Sequence, residues 1–298
     1  MRYKFMNRSI FNILSIQEFL AVKNDIKPVM RGGGIRKEHA EIIRQELKKE
    51  KMRVLVKTLD IPRLVDKNQF FHEKHIMLYI SKSMELARQA YKAEKEGDQI
   101  SFGRLLGYPE CCVDFYQHKI PNPVDDEFSF VLNTLSNTNG KPSFYTNNIF
   151  NFQTRAPTKH RLDIFNNFSS LLGERTKHFL VSHIPCSYRC KESIRIGREI
   201  LKLIKNEDQQ FARDIVSDIR KTFLVMDDFN FISFDGKVDG NSICYRTAEP
   251  LLTLYPSDKF IQGNKVIVGS NEIKIFNDGD LLHKIRKSVE NARVLDFS

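Results

Sequence analysis

The chain has 298 residues, 41% of them hydrophobic, with 23 Phe and no Trp, enough for one large domain or two ordinary ones packed mainly by Phe, Ile and Leu. Lys and Arg total 47 against 37 for Asp and Glu, a formal charge of +10, which suits an anionic partner or reflects genome-wide residue bias. No apolar run approaches the roughly 18 residues of a membrane span, and five clustered cysteines do not make a secreted disulfide framework, so a cytoplasmic protein with no membrane partner is expected.

Ser9 to Val22 carries Ile10, Ile13, Leu14, Phe19 and Leu20 and predicts an amphipathic helix with Ser9 as N-cap. Asn12, Gln17 and Glu18 interrupt it, so it is a poor signal-peptide core. Arg31-Gly32-Gly33-Gly34-Ile35-Arg36 lacks the Lys-Ser/Thr ending of a nucleotide P-loop and reads as a flexible loop. Lys37 to Lys51 reads as a charged helix. Arg31, Arg36, Lys37, Arg44, Lys48, Lys49 and Lys51 offer a basic N-terminal face for RNA or another anionic ligand. The alternative is a solvated helix in which Glu38, Glu41, Glu46 and Glu50 pair with these bases at helical spacing.

Met52 to Lys57 reads as a strand that Ile61-Pro62 ends, and Ile76 to Ile80 as a strand or a helix start. His72 and His75 have i, i+3 spacing without an acidic motif and read as surface residues. Ser81 to Glu96 is a helix stopped by Gly97. Ile120-Pro121-Asn122-Pro123 forces a break, and Asp125-Asp126-Glu127 opens a helix through Leu135. Residues 136–160 mix Asn, Thr, Ser and Pro with Phe144, Tyr145, Phe150 and Phe152, predicting a domain boundary or a lid. His178 to Ser182 reads as a short buried strand, and Lys191 to Lys205 and Gln209 to Thr222 as helices. From Phe223 the pattern turns to β. Phe229 to Phe234 alternates, Asp235-Gly236 and Asp239-Gly240 are turn dipeptides, and Lys265–Val268 and Glu272–Phe276 flank Gly269-Ser270. A helix from Asp280 to Asn291 is expected to close the chain.

Two short motifs hold four of the five cysteines. In Leu106-Gly107-Tyr108-Pro109-Glu110-Cys111-Cys112, Pro109 fits a helix start and both thiols fall in the first turn, where free amides and the helix dipole favour thiolate. In His183-Ile184-Pro185-Cys186-Ser187-Tyr188-Arg189-Cys190, Cys190 lies at the next helix start, with Ser187 as a plausible N-cap and Glu192 and Ser193 in the following turn. The clustering predicts one four-thiolate site of Cys111, Cys112, Cys186 and Cys190. Adjacent cysteines diverge by about 100° on a helix. Neither spacing is the C-x2-C of a zinc knuckle, so an iron–sulfur cluster ranks ahead of zinc, and zinc ahead of a dithiol redox pair. The contrary reading makes Cys111 and Cys112 buried hydrophobes; Cys244 is expected in the core.

At these motifs the chain resembles an uncharacterised archaeal family, the domain of unknown function 483. The likeness rests on Leu106-Gly107-Tyr108-Pro109 with Cys111-Cys112, and on His183 with Pro185-Cys186-Ser187, Cys190 and Ser193. It covers roughly residues 70–205, implies that the two motifs belong together, and implies no reaction.

The expected fold is α+β: an N-terminal helix and strand segment (1–65), a mainly helical core with short strands around the cysteine site (66–222), and a small β-rich C-terminal module (223–298). The functional expectation is an iron–sulfur or zinc enzyme acting on a nucleotide, RNA or peptide. In it Cys112 is the spare, catalytic thiol, and His183, Ser187 and Ser193 surround an open position that binds or protonates substrate. The alternative is a nucleic-acid-binding or interaction protein with a structural zinc or no metal.

Overall fold

A computed structural model describes residues 14–66, 69–119, 129–152, 177–227, 230–252, 257–286 and 292–298. Their architecture is α+β and rests on two antiparallel sheets. Helix α1 (Ile16–Lys23) is capped by Ser15, whose Oγ accepts the Glu18 N–H at 3.3 Å. Ser9, the predicted cap, lies outside the described residues. The glycine run then forms strand β1 (Val29–Ile35) rather than a loop. Met77 of a neighbouring strand comes within 2.7 Å of where a Gly33 Cβ would sit, so the glycine admits a close neighbour.

Helix α2 (Lys37–Lys49) buries Ala40, Ile43 and Leu47 on one face. Strands β2 (Arg53–Asp66) and β3 (Gln69–Ser81) make a long hairpin, and the sheet order is β1-β3-β2. These strands are not short, and Pro62 does not end the unit: it pairs with His72 inside the ladder. As β2 is the sheet's edge, a missing N–H is tolerated there. His72 and His75 both belong to β3. Helix α3 (Met84–Glu96) starts at the Ser83 cap and stops at Gly97, whose φ is 74°.

Helices α4 (Gln99–Leu105), α5 (Glu110–Lys119), α6 (Ser129–Ser136) and α7 (Ile149–Phe152) surround the cysteine region. The Ile120–Pro123 break and the Asp125–Glu127 helix start lie outside the described residues. Within the described part of the predicted boundary or lid, Thr146, Asn147, Asn148, Ile149 and Phe150 are buried core, whereas Ser136, Asn137, Asn139, Gly140 and Lys141 are exposed. His178 to Val181 is buried as expected but joins neither sheet. Gln17 takes the place of a strand partner, its Nε2 donating to the carbonyls of Lys177 and Phe179. Helix α8 (Lys191–Glu207) buries Ser193, Ile196, Gly197, Ile200, Leu201 and Ile204, a helical stripe, and α9 (Gln209–Ile219) packs beside it.

The second sheet comprises β4 (Thr222–Asp227), β5 (Asn230–Asp239), β6 (Ser242–Leu252), β7 (Lys265–Val268), β8 (Glu272–Asn277), β9 (Asp280–Arg286) and β10 (Arg293–Asp296). Its order is β10-β4-β5-β6-β7-β8-β9. Asp239-Gly240 does turn the chain, but Asp235-Gly236 sits inside β5, where the ladder slips by a bulge. The predicted closing helix is strand β9 as far as Arg286: Ile285 pairs with Ile273, and this edge completes the sheet. Cys244 is exposed on β6, not in the core.

Alternation along β4 divides the packing. Leu224 joins Ile232, Phe234 and Phe260 on one face. Phe223 and Val225 join Phe231, Leu251, Leu295 and Phe297 on the other, against Phe115, Val131, Phe150, Ile184 and Tyr188. The cysteine loop is therefore floored by the second sheet. On its other side α1, α2 and the first sheet share a core with α8 and α9.

One buried ion pair ties α1 to this assembly. Lys27 Nζ lies 2.6 and 2.8 Å from the two carboxylate oxygens of Glu18 and 3.0 Å from Ser182 Oγ, and its side chain is fully buried. Glu18→Gln should strand that ammonium in the core and destabilise the protein by about 3–5 kcal/mol, whereas replacing both partners with Met should recover most of the loss. Urea unfolding measures this; an unchanged midpoint in Glu18→Gln would contradict it.

Candidate metal centre

Helix α5 begins where the Pro109 carbonyl accepts the Cys112 and Val113 N–H groups, at 2.8 and 3.0 Å. Cys111 and Cys112 thus occupy its first turn, as their motif requires. Gly107 sets the approach. Its φ is 73°, and a Cβ there would lie 2.9 Å from Lys27 Cγ and 3.0 Å from Pro28 Cδ. The Leu106-Gly107-Tyr108 turn therefore closes directly over the buried lysine, with the Tyr108 ring 5.3 Å from its Nζ.

The second motif is held by side chains. Asn148 donates to the His183 carbonyl at 2.7 Å, Thr134 to that of Pro185 at 3.0 Å and Asn137 to that of Cys186 at 2.6 Å. Thr146 donates to the Tyr188 carbonyl at 2.7 Å, and Thr138 Oγ1 accepts the Tyr188 N–H at 2.9 Å. Cys190, rather than Ser187, takes the N-cap position of α8. Ser187 Oγ instead donates to Thr138 and accepts the Arg189 N–H. Glu192 turns outward to Arg195.

The four sulfurs of Cys111, Cys112, Cys186 and Cys190 all lie within 4.8 Å of one another. Cys111–Cys190, Cys112–Cys190 and Cys111–Cys112 are 3.6, 3.7 and 4.0 Å apart. The two adjacent cysteines do not diverge: in the first helical turn their side chains swing toward a common point. These four residues could hold a metal. Without one, Cys190 is held well below the usual thiol range by hydrogen bonds first from Cys112 and then from Cys186. Cys112 is pushed up by its bonds to Cys186 and Cys190 and by burial. Cys111 is raised, first by burial and then by the Cys190 charge. Cys186 is drawn down by Cys112, but its bond to Cys190 and burial outweigh that and leave it at about 12.

A buried polar chain runs from Cys112. Ser193 Oγ lies 3.4 Å from its Sγ, and His183 Nε2 lies 2.7 Å from Ser193 Oγ. Burial, then the charge of Lys27, lowers His183 to about 3, so the ring is neutral. Its Nδ1 has no partner among the described residues, whereas Nε2 faces an oxygen. The single ring proton is therefore assigned to Nε2, which donates to Ser193 Oγ. The serine hydroxyl is left to donate to Cys112 Sγ.

Three of the seven bases of the N-terminal face pair with carboxylates, Arg31 with Glu94, Arg44 with Glu41 and Lys49 with Glu46, and Lys23 outside it takes Glu50. Among the described residues no helix is long and apolar enough to cross a membrane.

Residues 65–220, more than half of the chain, match the model of a family described as a protein of unknown function, DUF483. The chain belongs to this family. The matched span holds all four clustered cysteines, His183, Ser193 and the clamp residues from Thr134 to Asn148, whereas Gln17, Glu18 and Lys27 precede it and the second sheet follows it. No curated protein and no solved structure matches the chain.

The cysteine convergence was readable from the motifs. The clamp was not, although a run of Asn and Thr mixed with core aromatics was its signal. Gly107→Ala should strain the left-handed turn and press on Lys27, costing about 1–3 kcal/mol. A lowered thermal midpoint is expected; an unchanged one would show that the turn does not need glycine.

Proposed function

We propose that the four cysteines bind a single metal ion in a closed tetrathiolate centre, and that the ion is zinc. The sulfur spacing carries this reading. A tetrahedral zinc with bonds of about 2.3 Å has ligand sulfurs about 3.8 Å apart; three of the separations here are 3.6, 3.7 and 4.0 Å, and all lie within 4.8 Å. A cubane holds its thiolates on four separate irons and spreads them further, so the spacing favours one ion over the iron–sulfur cluster. Four protein ligands leave no open position on the ion, and the centre joins the start of α5 to the start of α8. Ser193 and His183 act behind the ligand Cys112, as a hydrogen-bonded outer shell, rather than around an open position.

Elemental analysis of the purified full-length chain tests the metal. One zinc per chain, with no visible absorption, is expected; one iron, or a cluster spectrum, would overturn zinc. Ser193→Ala should lower zinc affinity by roughly 10–100-fold through loss of the donor to Cys112. Chelator competition reads this, and affinity equal to the parent chain's would remove Ser193 from the outer shell.

A further inference from the structure

The four sulfurs are not equivalent. Cys112 and Cys190 are buried, Cys186 is half-buried, and Cys111 is exposed. Cys112 Sγ accepts the Cys186 N–H at 3.3 Å and the Ser193 hydroxyl at 3.4 Å. Cys111 Sγ, among the described residues, meets only the sulfurs of its neighbours. A metal-bound thiolate stays unprotonated and keeps a lone pair pointing away from the ion. Hydrogen bonds to that sulfur draw charge from it and occupy its lone pairs; a sulfur without them keeps its nucleophilicity. Among the described residues Cys186 Sγ also hydrogen-bonds only to neighbouring sulfurs but is half-buried, and Cys190 Sγ has Ser193 beside it, so of the four it is Cys111 that combines exposure with missing donors.

We propose that Cys111 is the attacking thiolate of the centre and that the site takes a soft carbon electrophile, an alkyl donor. This rests on the zinc reading and deepens it. With four ligands and no open position, chemistry has to run on a ligand and not on a metal-bound water. Cys111 Sγ displaces the leaving group: the S–C bond forms, the bond from carbon to the leaving group breaks, and the leaving group departs with the electron pair. Nothing is oxidised or reduced. The product is a neutral thioether on α5, and the ion keeps Cys112, Cys186 and Cys190. The assignment moves the reactive role from Cys112, the spare thiol of the sequence reading, to its exposed neighbour.

The test uses the full chain carrying Cys244→Ser, which removes the exposed cysteine outside the centre. Zinc content is measured first. The zinc-loaded protein is then treated with less than one equivalent of iodoacetamide, and the labelled peptides are mapped by mass spectrometry. Cys111 should be labelled roughly tenfold or more ahead of Cys112, Cys186 and Cys190. Adding Cys111→Ser should slow labelling at the centre by a similar factor. Should that variant fail to fold, the mapping on the parent chain still decides. One bound zinc with Cys112, Cys186 or Cys190 labelled first would overturn this assignment and leave the centre standing. A chain that binds no metal would overturn the centre and this step with it.

Discussion

The backbone from Lys177 to Cys190 is largely buried yet belongs to no sheet, and its first helical partner is α8 at the far end. Buried carbonyls without partners cost too much to leave, so the fold supplies them one by one from side chains. Gln17, Thr134, Asn137, Thr146 and Asn148 do so from helix α1, from α6 and from the segment between α6 and α7. That arrangement holds Cys186 and Cys190 in a conformation that regular structure would not give them. It also explains why Thr134, Thr146 and Asn148, all polar, are buried.

This clamp marks the boundary of what could be read without coordinates. Helices α2, α3, α8 and α9 were legible because each puts a long apolar stripe on one face. The cysteine site was legible because two proline-flanked motifs are hard to explain separately. Errors arose where tertiary context overrode local signals. Gly33 looks like loop but sits beside Met77 in a sheet; Pro62 looks like a stop but lies on an edge. Asp280 to Arg286 has a helix-like composition, and pairing with β8 makes it a strand. The identity of the metal is a separate matter: the iron–sulfur preference rested on the divergence of adjacent helical cysteines. Side-chain rotation brings their sulfurs to 4.0 Å, close to the spacing that one ion needs.

The family match covers the cysteines and the clamp residues from Thr134 to Asn148 but leaves out Gln17 and much of what surrounds them. Lys27 lies before it, and its pair with Glu18 sits under the Gly107 turn that starts α5. Phe223, Phe231 and Phe297 lie after it and pack against Tyr188 and its neighbours. The site's immediate geometry and its mechanical support are thus encoded in different parts of the sequence. A substitution far from any cysteine can disturb the loop by loosening the core beneath it.

The strand order of the second sheet adds a constraint of time. Strand β10 returns to pair with β4, and Phe297 directly after it meets the Tyr188 ring edge-on at 5.1 Å. On the ribosome, Cys111 emerges long before Cys190, and Cys190 long before Phe297. A chain made at about 5–20 residues per second therefore spends several seconds with both cysteine motifs present and the floor beneath the loop not yet synthesised. Throughout that interval the thiols are open to oxidation and mispairing.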